Sequence, residues 1–306
     1  MSDNILSYCL FDPLNMHTHR TWDKNRLESD RYWYNIPAVL IANEILYPKF
    51  KTKFYITPNL KYNPLFAIIE SSGAEIQEVD LSFKETSEPM LWRMMPLWED
   101  VSCFFTRDID SIPNREEAQC SLFFHNNDYH IQTIRSHENH YHEQGCDMLG
   151  GLSGFKPKLI SNKPKTFLDY YNSKNDMPWA QDQYLMVNTF VYSQNQQYMK
   201  DKFLDCPINN QNRSAKFPCS QISKEQKESI VFTELQNRLL KIIEDNQMSV
   251  WAGEPCDARG KFLKEILSLP TNVGERIRKS FDANETLEYF YGVNDENLSK
   301  QILSQG

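Results

Sequence analysis

From Val101 to Thr106 the chain is almost unbroken apolar residue, and Arg107-Asp108-Ile109-Asp110 follows directly. A strand with one wet face would alternate polar and apolar positions. A run like Val101–Thr106 instead suits a strand buried on both faces, and such strands lie in parallel or mostly parallel sheets covered by helices. The segments before it fit that frame. Ser7–Phe11, ended by Asp12-Pro13, reads as a strand, and so does Lys53–Thr57, ended by Pro58. Ile36–Tyr47 carries Ala38, Ile41, Ala42, Ile45 and Leu46 on one helical face, with Pro37 suited to a first turn. Pro64–Ser71 reads as a helix stopped by Gly73, Glu75–Val79 as a strand, and Met90–Trp98 as a short helix.

The pattern continues beyond residue 110. Asn114 is a natural N-cap for a helix to Phe124, with Glu116 and Glu117 in its first turn. Tyr129–Ile134 alternates like a strand. Met148–Lys156 reads as another, loosened by Gly150, Gly151 and Gly154, and Trp179–Tyr192 reads as a helix. Strand–helix alternation predicts an α/β fold, a mostly parallel sheet with helices on both faces.

Composition then shifts. Asn195–Ser220 is polar and rich in Asn and Gln. Residues 195–222 are expected to be irregular, a candidate lid between a domain at 1–194 and a helical part at 223–306. In the last part Ser223 opens a capping-box pattern with Gln226. It heads a helix over Ser223–Asn246 whose apolar stripe is Ile230, Leu235, Leu239, Ile242 and Ile243. Gly260–Leu267 and Leu287–Leu303 add further helical pieces.

Several function classes drop out. Hydrophobic residues at 40% and aromatics at 13% of 306 residues exclude a disordered chain. The net charge is −8, from 33 basic and 41 acidic side chains, and no basic cluster offsets it, so nucleic acid is not an expected partner. Apolar runs such as Ile36–Ala42 are far too short to span a membrane, and Met1–Asn4 does not begin a secretory signal. Seven cysteines without a C-x-x-C pair suggest reduced thiols and a cytoplasmic location.

Asp108 and Asp110 carry the sharpest chemistry. In open α/β sheets ligands bind just beyond the carboxyl ends of strands. Two carboxylates one residue apart can converge there on a hard divalent cation that also takes substrate phosphates. The plain alternative is a solvated acidic turn.

The stretch Phe104–Ser111, followed by Arg115-Glu116, resembles the "RD-x-DS … RE" signature of GT-A-type glycosyltransferases, in particular a group of bacterial and viral proteins of that type. Other segments follow the same order. Leu91-Trp92-Arg93-Met94 is similar to that group's "W-R-F" helix, and His130–His140 to its "H-x-x-R-D-H-x-x-H" segment. Leu149–Gly154 is similar to its "GG-x-x-G" strand, and Asp182-Gln183-Tyr184-Leu185 to its "DQ-x-L" helix. The likeness covers roughly residues 5 to 192.

The resemblance implies a GT-A-like, Rossmann-like domain that moves a sugar, such as a hexose, from a nucleotide-diphosphate donor to a hydroxyl of a glycan or other acceptor. Mn or Mg would be the cofactor, and the setting would be a bacterial cytosol or, for a viral protein, the host cytoplasm. Asp108 would face the ribose and the water shell of the metal, and Asp110 would bind the metal directly. Asp205 stands where a late metal ligand is expected, in place of a "His-Asp" pair. Asp182 would be the base or a sugar-positioning acid. Tyr8, Arg93, Arg107, Gly150, Gly151 and Gln183 would contact the donor, and His130 and His140 would line the acceptor side. Ser136 departs from the pattern, which has Asp there. Two rivals remain: an inactive sugar- or nucleotide-binding relative, and a nucleotidyltransferase that makes the sugar nucleotide. A zinc site at His137, His140 and His142 lacks the matching ligands.

Overall fold

The structure is a computed structural model. It describes residues 2–11, 26–62, 66–80, 88–135, 137, 140, 148–173, 181–192, 201–207 and 219–284. Leu287–Leu303, Ser136 and His142 lie outside the described residues.

The described strands form one eight-stranded sheet in the order β3-β2-β1-β4-β6-β5-β7-β8. Its members are β1 (Asp3–Leu10), β2 (Lys51–Ile56), β3 (Glu75–Glu78), β4 (Val101–Arg107), β5 (Ile131–Arg135), β6 (Leu152–Phe155), β7 (Phe203–Pro207) and β8 (Ser220–Gln221). Only β6 runs against its neighbours, pairing antiparallel with both β4 and β5. The chain is therefore an α/β fold built on a mostly parallel sheet, as expected. From β1 the order grows outward through β2 and β3, then returns to the other side of β1 with β4. That reversal creates a crevice at the carboxyl ends of β1 and β4.

Side-chain parity divides the core. Leu6, Tyr8, Cys103 and Phe105 face a layer containing α1 (Arg26–Leu46), α2 (Phe66–Ser72) and α3 (Arg115–Asn126). Ile5 and Phe104 face the opposite layer. That layer holds the 3-10 segment Glu88–Trp98, α4 (Phe167–Asn172), α5 (Gln181–Met186) and the π-helical turn Val187–Tyr192 that continues α5. Period-two alternation sends successive residues of each strand to opposite layers.

Three expectations need correction. Helix α1 begins at Arg26, so Pro37 sits in its interior rather than its first turn. Helical residues on both sides, buried against the sheet, outweigh the hydrogen bond that proline removes. The expected irregular segment contains β7, a buried strand in the sheet, so 195–222 is not a lid throughout; residues 208–218 lie outside the description. The helix expected over Ser223–Asn246 is two helices, α6 (Lys224–Glu228) and α7 (Glu234–Asp245), each opened by its own capping box from Ser223 and Thr233. A helix α9 (Asn272–Asn284) follows α8 (Lys261–Leu267) and was not foreseen.

Helices α7, α8 and α9 share the α1-side core. Leu239, Leu240, Ile243, Phe262, Ile266, Ile277 and Phe281 are all buried in the cluster that contains Leu6 and Phe105. The helical region is thus a layer on the sheet. No described helix is long and apolar enough to cross a membrane.

Candidate active site

Strand β4 ends at Arg107, and the chain turns through Asp108 and Asp110 into Asn114, whose side chain accepts from the Glu117 amide at 2.9 Å and caps α3. The turn therefore lies at the crevice. Beside it, β6 runs antiparallel and pairs Leu152 with Arg107, so Gly150 and Gly151 arrive at the same edge. Helix α5 brings Asp182 in its first turn.

Arg93 joins these parts. Its guanidinium donates to Asp108 Oδ1 through Nη1 and to Asp182 Oδ2 through Nη2. It is held from the main chain as well, because the Arg93 carbonyl accepts from Ser7 Oγ on β1 at 2.7 Å. Burial disfavours the Arg93 charge, but the carboxylates of Asp182 and Asp108 outweigh it and hold the group well above its ordinary pKa. The side chain of Asp182 is 2% exposed, whereas that of Asp108 is 41% exposed. The buried end of this network is fixed, and the Asp108 end opens to solvent. A β-carbon on Gly150 would collide with Asp182 Oδ2 and Arg93 Nη2, and one on Gly151 with Asp108 Oδ2. These two glycines are needed for close approach of backbone to carboxylate.

Other expected site residues are placed elsewhere. Arg107 has the parity of Phe105 and turns into the α1 side. There Nη2 donates to Tyr47 Oη at 3.2 Å and Ser121 Oγ at 2.9 Å, and Nη1 lies 3.1 Å from Glu117 Oε1. Tyr8 also points into that layer, stacked on Phe54 and hydrogen-bonded to Asn43 of α1. Neither side chain faces the crevice. Asp205, on β7, accepts from Arg135 Nε at 2.9 Å and Nη2 at 2.6 Å, with both partners buried. It lies three strands from β4, about 14 Å at the usual interstrand spacing, too far to share a cation with Asp110. His130 precedes β5 at the amino edge of the sheet and pairs with Asp201 at 2.9 Å, so it is at the opposite end from Asp108. Gln183, partly exposed, follows Asp182 on α5.

His140 lies beyond the carboxyl end of β5, the same edge as the crevice, and is buried edge-on against Trp251, 5.2 Å between ring centres. His137 stacks on the same indole at 4.3 Å. Trp251 belongs to a loop that sequence reasoning missed. Ser249 accepts from the Ile112 amide at 3.1 Å and from Asn114 Nδ2 at 3.0 Å, and the Cys256 amide donates to the Asp110 carbonyl at 2.8 Å. The loop thus closes over the Asp108–Asn114 turn. Gly253 and Pro255 are the turn signals in the sequence of this loop, and nothing local gives its destination. Cys9, near the end of β1, was missed too. Its electrostatic neighbours are Arg93, Asp108 and Asp182, and burial pushes its thiol up to about 12.

Among the described residues no group of three or more His, Cys, Asp or Glu side chains converges as a ready-made metal cage. No protein-family model matches this chain, and no curated protein matches it.

Proposed function

We propose that this chain is a GT-A-type glycosyltransferase that moves a hexosyl group from a nucleoside-diphosphate sugar to a hydroxyl of a glycan or similar acceptor. One observation carries the reading. Arg93, Asp108, Gly150, Gly151 and Asp182 come from four separate stretches of sequence, yet they meet at the topological switch point of the sheet. The resemblance singles out the same five positions, and a switch-point crevice is where open α/β sheets bind nucleotides.

Asp108 and Asp110 fit a Mn or Mg ion by donor chemistry, since both offer hard carboxylate oxygens at a strand end. Asp205 does not belong to that set, because it lies three strands from β4, fully buried against Arg135. Two carboxylates leave room for diphosphate oxygens and water, as such ions prefer. When bound, the cation offsets charge on the departing diphosphate. The chain's own residues do the rest. Gly150 and Gly151 let the main chain seat the Asp182 and Asp108 carboxylates. The Ser249–Cys256 loop limits access of water to the turn. Asp182, nearly inaccessible, orients Arg93 and through it Asp108, so it acts through Arg93 rather than as an open base. Cys9, Cys103, Cys120, Cys206 and Cys256 are free thiols, which fits work in a reducing cytoplasm.

The test is donor hydrolysis across a panel of nucleotide sugars with Mn, with Mg and with chelator, beside Asp110→Ala. Metal-dependent release of one nucleotide, lost in the variant, is expected. A chain that binds nucleotide but neither hydrolyses nor transfers from any donor, with a panel of glycan acceptors present, contradicts the reading.

A further inference from the structure

Arg93 is the one cation described in contact with both site carboxylates, and its position bears on how a metal enters. Its Nη2 is anchored on Asp182, where both partners are almost fully buried. Its Nη1 sits on Asp108 Oδ1, while Oδ2 of the same carboxylate rests against Gly151. Oδ1 of Asp108 is therefore engaged by Arg93, and the carboxylate as a whole stays 41% exposed. The guanidinium is 4% exposed and its Nε is buried without a hydrogen-bond partner. A buried donor left unmatched is costly, so the group is not fully satisfied by the chain alone.

We infer that Arg93 is an internal counter-cation that guards the metal site, so that a divalent cation is held firmly only together with a diphosphate. This rests on the proposed function, because it takes the cation site at Asp108 and Asp110 as its premise. The physical argument is competition. In the free chain the positive guanidinium neutralises Asp108 and repels a second positive charge placed beside it. A diphosphate changes both terms. Its oxygens would complete the coordination of the cation, and its negative charge offers Nη1 of Arg93, now on the exposed Asp108 carboxylate, an alternative acceptor. The anchored Asp182 end need not move. Asp108, the exposed partner, is the one free to turn toward the cation. Metal and diphosphate thus help each other, and linkage makes the help reciprocal.

The experiment measures Mn binding by electron paramagnetic resonance of the free ion, without and with UDP, GDP, CDP or ADP. Mn complexed by each nucleotide in buffer is subtracted. The wild-type chain is compared with the double variant Arg93→Met/Asp182→Asn, which removes both buried charges together and so avoids stranding either one. Arg93→Lys serves as a second variant that keeps the charge. In the wild type one nucleoside diphosphate should tighten Mn binding by at least about tenfold, within the usual range of coupling between sites. In the double variant Mn alone should bind several-fold more tightly than in the wild type, and the coupling should shrink. Arg93→Lys should retain the weak binding of Mn alone. Tight Mn binding by the wild type without nucleotide, or no gain in the double variant, overturns the inference and leaves the metal site standing. Absence of Mn binding in every protein, with every nucleotide, removes the metal site itself and the inference with it.

Discussion

Gly151 lies so close to Asp108 that a β-carbon there would overlap Oδ2 of the carboxylate, and Gly150 stands in the same relation to Asp182. Both carboxylates are seated on bare main chain at the start of β6. Gly151→Ala should tilt Asp108 out of its seat. Overpacking of this kind costs about 1–3 kcal/mol, so the thermal midpoint should fall by a few degrees while the fold survives. Nucleoside-diphosphate binding in the presence of Mn should weaken by about tenfold or more, equivalent to roughly 1.4 kcal/mol. Titration calorimetry beside a thermal melt checks both. Undiminished binding would mean that the position of Asp108 is immaterial.

Asp205 and Arg135 make the opposite case, a carboxylate whose work is structural. Removing one partner of a buried ion pair strands the other charge and costs about 3–5 kcal/mol. Asp205→Asn should therefore lower the urea midpoint strongly. Mn affinity of the molecules that remain folded should not change. A variant with normal stability and lost Mn affinity would restore Asp205 to the metal site.

These two carboxylates also mark what the sequence could reveal. Asp108 follows an apolar strand, and that local context places it at a sheet edge. The same logic located most of the strands, the Asn114 cap and the glycines beside the site. Asp205 sits in a strand flanked by polar residues, and its partner Arg135 is 70 positions away. No local pattern distinguishes a carboxylate aimed at a metal from one aimed at a buried arginine. Arg107 was misread for a simpler reason: side chains alternate along a strand, and its parity matches Phe105 rather than the crevice. Trp251 and its loop depend on contacts with residues more than 100 positions earlier, such as Ile112 and Asn114, so only the folded chain brings them into view.

The end of α7 offers a stabilising change. Gln247 follows the C-cap Asn246 with φ of 54°, and its amide donates to Glu244 while that of Met248 donates to Ile243. This is the left-handed exit that glycine favours. The side chain is exposed, so little packing is at stake. Gln247→Gly should raise stability by up to about 1 kcal/mol, because the left-handed conformation costs other residues roughly 1–2 kcal/mol. A denaturant midpoint that moves upward at unchanged slope is the expected result. A downward move would mean that the entropy of the unfolded glycine chain outweighs the relief.

His125 sets a pH dependence near the end of α3. Burial lowers its pKa from the ordinary value, and the charges of Lys156 and Lys49 lower it further. Its ring stands edge-on to Phe50 at 5.0 Å, and Nδ1 is buried without a hydrogen bond. The folded chain thus prefers the neutral ring. Below about pH 6.5, the ordinary histidine value, the unfolded chain takes up a proton that the folded chain resists. Stability from this group is complete above that pH and is lost as pH falls through the lowered folded value. Urea melts between pH 7.5 and 5 should show wild-type stability falling on the acid side. His125→Phe keeps an aromatic ring against Phe50 and removes the titration, so its profile should be flatter over the same interval. Parallel profiles for the two proteins would mean that His125 takes up its proton equally in the folded and unfolded chains, and that the acid sensitivity comes from other groups.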